Sequence, residues 1–133
     1  MKNVLIVDDE QIVLDVLQRI LLRLGYDAVV SDSGELAIEK FLNEEFDLVL
    51  MDILMPEMSG FDVARKMREI KPDQKIVIVT GLGTDAAIAQ ADLEQIDIDD
   101  VLPKPFSFEN VRLLLDREIN NNQYQHEPVL YTN

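Results

Sequence analysis

The sequence of 133 residues contains no cysteine, no tryptophan and a single histidine. Without cysteine, the chain cannot form a disulfide, use a thiolate nucleophile or bind zinc through cysteine ligands. No apolar run approaches the ~20 residues that a membrane-spanning helix needs. The first apolar stretch is also too short for the core of a signal peptide. These absences predict a soluble, cytoplasmic protein that has no membrane partner.

Basic residues are scarce as well. Lysine and arginine number 12 against 26 aspartates and glutamates, which gives a formal net charge of −14. Such a surface repels phosphate backbones, so we expect no direct binding to nucleic acid. It favours divalent cations and basic proteins as partners. Most of this charge is expected to serve solubility, because only a few acids lie where chemistry can use them.

The pattern of apolar residues predicts an α/β fold. Four short apolar runs, and a weaker one at Ala28–Val30, are separated by segments with helical spacing. The four runs are Val4–Val7, Leu48–Met51, Ile76–Val79 and Val101–Leu102. The first three of these are continuous rather than alternating, which is typical of strands buried on both faces of a parallel sheet.

Five such βα units predict a doubly wound, flavodoxin-like domain over residues 1–120. We expect a five-stranded parallel sheet in the order 2-1-3-4-5, with helices on both faces. Residues 121–133 are polar and are predicted to form a mobile tail. Gly25 should end the first helix, and the other helices should begin at the potential cap residues Ser33, Ser59, Thr84 and Ser107.

Polar side chains follow four of these strands. Asp8 and Asp9 follow the first strand, Asp52 the third, Thr80 the fourth and Lys104 the fifth. Because ligands of an open parallel sheet lie at the carboxyl ends of its strands, near the switch in strand order, these side chains should converge. Singly, each has an ordinary explanation: a helix cap, a turn residue, the end of a strand or a solvated lysine.

Together, these residue types indicate phosphoryl chemistry. Three neighbouring carboxylates repel one another unless a cation lies between them, and Mg²⁺ prefers oxygen ligands and phosphate oxygens. A carboxylate such as Asp52 can act as a nucleophile and form an aspartyl phosphate. Lys104 can supply a positive charge to a phosphoryl oxygen, and Thr80 can supply a hydroxyl donor.

The segment Asp52-Ile53-Leu54-Met55-Pro56-Glu57-Met58-Ser59-Gly60 resembles the phosphoacceptor loop of bacterial response-regulator receiver domains. The Asp8-Asp9 pair, the Thr80-Gly81 step and Lys104-Pro105-Phe106 match the same family in order and approximate spacing. The resemblance covers nearly the whole chain, from Lys2 to about Asn120.

The resemblance implies a role for each site residue. Asp52 would be the phosphorylated aspartate and Asp9 a direct ligand of Mg²⁺. Asp8 would act mostly through water, and the backbone carbonyl of Leu54 would complete the metal site. Thr80 and Lys104 would bind the phosphoryl group, and the Lys104–Pro105 peptide would be cis.

The resemblance also implies a signalling switch in a two-component system rather than an enzyme with turnover. The phosphodonor would be a sensor histidine kinase or a histidine phosphotransfer protein. A downstream effector protein would bind the altered face, and phosphorylation-dependent homodimerisation is a further option left open by the sequence.

Two features depart from the family pattern. Many receiver domains have an aromatic residue three positions before the lysine, and here that position is Val101. The spacing from Thr80 to Lys104 is slightly long, and the residues between them are unusual for the family. We therefore expect a shifted or mobile fourth helix.

Three alternatives remain open at this point. A haloacid-dehalogenase-like phosphatase needs a second acid two residues after its nucleophile, where this chain has Leu54. A flavodoxin-like nucleotide binder needs a glycine-rich phosphate loop after the first strand, which is missing. A degenerate receiver domain would bind partners without phosphorylation, and metal-dependent phosphorylation by a small phosphodonor would distinguish it.

Overall fold

In the computed structural model, which describes residues 1–120, five parallel strands alternate with five helices. The strands are β1 (Asn3–Val7), β2 (Asp27–Ser31), β3 (Leu48–Asp52), β4 (Ile76–Thr80) and β5 (Asp100–Pro103). The helices are α1 (Gln11–Arg23), α2 (Gly34–Asn43), α3 (Gly60–Ile70), α4 (Thr84–Leu93) and α5 (Phe108–Leu115), and a π-helical segment (Asp116–Asn120) follows α5. The strand order β2-β1-β3-β4-β5 confirms the predicted topology. The predicted tail, 121–133, lies outside the described residues.

The sheet is buried on both faces, as the continuous apolar runs predict. All five residues of β3 and all five of β4 are buried. On one face the sheet packs against α2, α3 and α4, and on the other against α1 and α5. Within the described part of the chain, no helix is both long and apolar enough to cross a membrane.

Side-chain caps begin three of the helices. The hydroxyls of Ser33, Ser59 and Ser107 accept hydrogen bonds from backbone N–H groups of the first turn, as predicted. The prediction that Thr84 caps the fourth helix was wrong. Gly83 occupies that position with φ +94°, and Thr84 is already the first helical residue. Because a positive φ favours glycine, the chain enters α4 one residue earlier than the threonine suggested.

Two arginines of α3 bind the connection between α4 and β5. The Arg65 guanidinium donates to the Glu94 carbonyl at 2.8 Å. The Arg68 guanidinium donates to the Asp97 carbonyl at 3.0 Å and to the Asp99 carboxylate at 2.9 Å. These bonds fix the C-terminal end of α4 to α3. The other end of α4, at Gly83, has no side-chain cap.

A residue just after α4 carries backbone strain that a substitution can relieve. Gln95 adopts φ +57°, the left-handed conformation that glycine favours at a helix C-terminus. We expect Gln95→Gly to raise the free energy of unfolding by about 0.5–1 kcal/mol in urea denaturation. The matched control is Asp92→Gly, because Asp92 lies within the right-handed α4 helix. This control should be destabilising, and equal effects of the two changes would contradict the strain argument.

Candidate functional site

Three carboxylates meet at the carboxyl ends of β1 and β3. These two strands are neighbours, and Val7 of β1 pairs with Met51 of β3. Asp8 therefore emerges beside Asp52, and Asp9 follows on the loop. One oxygen from each of Asp8, Asp9 and Asp52 lies within 4.8 Å of the other two. Asp8 and Asp52 are buried, whereas Asp9 is exposed.

Lys104 enters the same site from the end of β5. Its Nζ atom lies 2.9 Å from Asp8 Oδ2, 3.4 Å from Glu10 Oε1 and 3.9 Å from Asp52 Oδ2. The lysine thus makes its shortest contact with Asp8 and a longer one with Asp52. The peptide between Lys104 and Pro105 is cis, as the resemblance implies.

Thr80 is buried at the end of β4, next to β5. Its Oγ1 atom accepts a hydrogen bond of 3.1 Å from the Leu82 N–H, and its carbonyl accepts one of 2.8 Å from the Lys104 N–H. The threonine is therefore linked both to the start of the β4–α4 loop and to the residue that carries the site lysine.

The Asp52 carboxyl has an unusually high pKa, raised from 3.8 to about 6. Burial is the largest cause, and the charge of Asp8 is the next. A 3.1 Å hydrogen bond from the Leu54 N–H and the positive charge of Lys104 act in the opposite direction without cancelling the increase. The ionised carboxylate is therefore incompletely compensated by the protein's own groups.

The pKa of the Lys104 ammonium is also shifted upward. Burial is the largest single influence and lowers this pKa. The hydrogen bond to Asp8, the negative charges of Asp52 and Asp8, and the hydrogen bond to Glu10 together outweigh the effect of burial. Lys104 is thus held as a cation at neutral pH, as binding of an anionic group requires.

The donor set of this site suits a hard divalent cation. Mg²⁺ is usually bound through one or two carboxylates while it retains water and phosphate oxygens as its other ligands. Asp8, Asp9 and Asp52 supply oxygen atoms at suitable mutual distances. Lys104 is the one cation within 4.0 Å of these carboxylates among residues 1–120, so it faces three acids of the cluster. The residues present therefore fit a metal ion.

Sequence reasoning assigned no role to two residues of the site. Glu10 contacts Lys104, and the only signal for this was its place in the acidic run that follows β1. Gly60 begins α3 directly against the end of β3, where an added Cβ would lie 2.1 Å from the Asp52 carbonyl oxygen. The motif contains this glycine, but its spacing alone does not reveal the contact.

Comparison with known proteins identifies the family. The family model described as the response regulator receiver domain matches residues 4–116 of the chain. The chain belongs to this family. This receiver domain is 39% identical over 106 residues to the response regulator receiver protein CpdR of Brucella abortus (strain 2308). That alignment covers 80% of this chain and 87% of CpdR.

Other relatives are longer than this receiver domain. The sensor kinase/phosphatase LuxN of Vibrio harveyi is 34% identical over 120 residues, which are 90% of this chain but 14% of LuxN. The response regulator SaeR of Staphylococcus aureus (strain USA300) is 32% identical over 130 residues, which are 97% of this chain and 56% of SaeR. The chain thus spans only part of the length of these proteins.

Solved structures agree with the fold. Response regulator protein TrrA of Thermotoga maritima, in complex with Mg²⁺ and BeF, superposes with a TM-score of 0.79 at 33% identity. The match covers 90% of this chain and all of TrrA. Chemotaxis protein CheY4 of Vibrio cholerae gives a TM-score of 0.83 at 25% identity, covering 90% of this chain and 99% of CheY4. The receiver domain is thus part of a two-component signalling family with a flavodoxin-like fold.

Proposed function

We propose that this receiver domain accepts a phosphoryl group on Asp52 and acts as a signalling switch rather than as an enzyme with turnover. The observation that carries the proposal is the environment of the Asp52 carboxylate. It is buried and lies 3.9 Å from the Lys104 ammonium. It also lies within 4.8 Å of the oxygens of Asp8 and Asp9. This arrangement brings together a carboxylate that can act as a nucleophile, a cation and candidate metal ligands, and so supports the proposal.

The side chains of the site position the phosphoryl group and compensate its negative charge. An Asp52 oxygen attacks the phosphorus atom of a phosphohistidine, the new O–P bond forms, and the N–P bond breaks with its electron pair passing to the imidazole nitrogen. Lys104 pairs with an oxygen of the transferred group. Asp8, Asp9, Asp52 and the Leu54 carbonyl would hold Mg²⁺, which when bound offsets the charge of the phosphoryl oxygens.

Thr80 is the residue that we propose couples phosphorylation of Asp52 to a change in the conformation of the β4–α4 loop. Its hydroxyl is already bonded to the Leu82 N–H, and Gly81 and Gly83 lie in the loop before α4. When the hydroxyl donates to a phosphoryl oxygen, the loop and the uncapped end of α4 shift with it. The phosphoryl group thereby biases a two-state equilibrium of the face formed by α4, β5 and α5, which a downstream protein binds.

The proposed phosphodonor is a sensor histidine kinase or a histidine phosphotransfer protein. A solved complex of histidine kinase ThkA with TrrA contains a relative that is 32% identical to this chain, with a TM-score of 0.78. In this chain, α1 begins directly beside the site and exposes Ile12 and Val16 in its first half. These apolar side chains offer a surface on which a helical partner can dock next to Asp52.

Treatment with acetyl phosphate tests the proposed function directly. Intact-protein mass spectrometry should show a gain of one phosphoryl group in the presence of Mg²⁺ and none in the presence of a chelator. Asp52→Ala should abolish the gain because the variant lacks the nucleophile.

The matched control is Asp47→Ala, which removes an acid just before the same strand, where it accepts a hydrogen bond from the Asn3 N–H. This variant should still be modified. If the wild-type protein gains no phosphoryl group under any condition, the chain is a binding module that functions without phosphorylation.

A further inference from the structure

A shallow groove of about 520 Å³ lies between α1 and the beginning of α5. Its apolar lining comes from Val16, Ile20 and Leu22 of α1 and from the Phe108 ring at the start of α5. Three of these side chains are well exposed: 42% of Val16, 56% of Leu22 and 41% of Phe108 is accessible to solvent. This apolar surface is therefore open to a further segment.

Two exposed arginines, Arg19 and Arg23, also line the groove. The Arg23 guanidinium lies 5.6 Å from the centroid of the Phe108 ring, which is a cation–π distance. Neither arginine forms an ion pair within residues 1–120, and Asp15, four residues before Arg19, accepts a hydrogen bond from Gln11 instead. Two unpaired cations beside apolar side chains favour a ligand that is both apolar and acidic.

The chain itself contains a segment of this composition outside the described residues. Most of residues 121–133 are polar, and the sequence predicts a mobile tail there. The run Glu127-Pro128-Val129-Leu130-Tyr131 departs from that pattern, because an acid and a proline are followed by three consecutive aliphatic or aromatic side chains. The run thus has the two properties that the groove favours, negative charge and apolar surface.

The described part of the chain ends close to the C-terminal end of α1. The Asn120 side-chain amide donates a hydrogen bond to the Tyr26 hydroxyl, and Tyr26 comes three residues after the last residue of α1. Residues 121–126 can span up to about 20 Å when extended, and α1 is itself about 20 Å long for its 13 residues. The segment that begins at Glu127 can therefore reach the groove, whose α1 residues extend from the middle of that helix to its end.

We propose that residues 127–131 bind in this groove of their own domain. The three apolar side chains of the segment contact the apolar lining, and the Glu127 carboxylate pairs with the two arginines. A short tether gives an effective concentration on the order of millimolar, so even a weak contact of this kind is populated within one chain. The docked segment covers Val16, which also belongs to the α1 surface proposed for the phosphodonor, and only this last consequence rests on the proposed function.

The overall charge of the chain disfavours two other occupants of the groove. A second copy brings its own net charge of −14, so the two chains repel each other as they approach. An anionic lipid surface attracts Arg19 and Arg23 but repels a chain in which 26 acids outnumber 12 basic residues. The tethered segment needs no second molecule to approach, so neither repulsion applies to it.

Paramagnetic relaxation enhancement tests the proposal in the full chain. The sequence has no cysteine, so Thr132→Cys creates a single site for a nitroxide spin label next to the apolar segment. The label should broaden the amide resonances of residues 16–23 and Phe108. The resonances of Leu42 and Ile70, on α2 and α3 at the other face of the sheet, should stay unchanged. A mixture of isotope-labelled protein without the nitroxide and nitroxide-labelled protein without the isotope should show no broadening.

Variants of the tail separate docking from mere proximity of the label. Val129→Ser with Leu130→Ser should reduce the relaxation enhancement at residues 16–23 by about fivefold, because the segment loses its aliphatic contacts. The matched control is Asn121→Ser with Asn122→Ser, which alters the polar part of the same tail. It should change the enhancement by less than about twofold.

Variants of the domain test the contribution of charge. Arg19→Gln with Arg23→Gln should reduce the enhancement by about threefold, because Glu127 loses its cationic partners. The control, Lys66→Gln with Lys71→Gln, removes the same charge on and just after α3, from two lysines that form no ion pair within residues 1–120. It should change the enhancement by less than about twofold.

Broadening spread evenly over the surface of the domain, or an equal loss in the test and control variants, would overturn the inference. Broadening in the mixed sample would assign the groove to the segment of a second copy and would overturn docking within one chain. The measurement needs neither Mg²⁺ nor a phosphodonor, so its result is independent of the acetyl phosphate experiment. Docking can therefore hold when phosphorylation of Asp52 fails, and the reverse.

Discussion

Replacing Gly60 with alanine is expected to lower the free energy of unfolding by about 3 kcal/mol. The added Cβ would lie 2.1 Å from the Asp52 carbonyl oxygen and 2.7 Å from the Ile53 Cα atom. Both are backbone atoms, so no side-chain rotation relieves the overlap. The start of α3 must move away from β3, which also stretches the 3.1 Å hydrogen bond from the Gly60 N–H to the Ile53 carbonyl.

Two other glycines provide a graded control for this prediction. A Cβ at Gly34 would lie 2.7 Å from Val63 Cγ2 and 3.0 Å from Met58 Sδ, which are side-chain atoms that can yield. A Cβ at Gly81 would meet no atom within 4 Å. Urea denaturation should therefore rank the alanine substitutions at Gly81, Gly34 and Gly60 in order of increasing cost. Helix propensity alone would make Gly60→Ala stabilising by up to about 1 kcal/mol, and that sign would refute the steric argument.

Asp52→Asn is expected to stabilise the metal-free protein by up to about 3 kcal/mol above pH 7. The folded-state pKa of Asp52 is about 6, against 3.8 for an ordinary aspartate. The folded state therefore binds more protons than the unfolded state between these values, so the stability of the wild-type protein falls as pH rises from about 4 to 6. The asparagine side chain carries no charge and removes this loss.

Unfolding curves in the presence of a chelator, measured from about pH 4 to about pH 8, test this prediction. The difference between Asp52→Asn and wild type should be near zero at about pH 4 and should reach its plateau above about pH 7. The Asp52→Asn protein keeps a side-chain oxygen that can accept the Leu54 N–H, and Lys104 keeps its 2.9 Å bond to Asp8. A pH-independent difference would show that repacking, rather than ionisation, separates the two proteins.

The sheet and the location of the candidate site could be predicted because both depend on periodicity. Continuous apolar runs such as Val4–Val7 and Ile76–Val79 are required for strands covered on both faces, so the number and type of strands follow directly. Once the strands are parallel, Asp8, Asp52 and Lys104 must all lie at the carboxyl ends of the strands, on the same side of the sheet. This inference needs no knowledge of side-chain conformation.

Features that depend on a few tenths of an ångström or on a single dihedral angle could not be predicted. Thr84 has the composition of a helix cap, but the φ of Gly83 moves the helix start by one residue. Which of the carboxylates of Asp8, Glu10 and Asp52 pairs most closely with the Lys104 ammonium depends on distances that differ by about 1 Å.

The arginines that bind the end of α4 to α3 determine which motions this helix can make. Its C-terminal end is held through Glu94, Asp97 and Asp99, whereas its N-terminal end follows the loop after Thr80. Helix α4 is therefore held at its C-terminal end, and it is about 15 Å long for its ten residues. A tilt of about 10° would carry the free end through roughly 2.5 Å while the held end stays in place. The proposed phosphorylation would then displace the backbone most beside Leu82 and least beside Leu93.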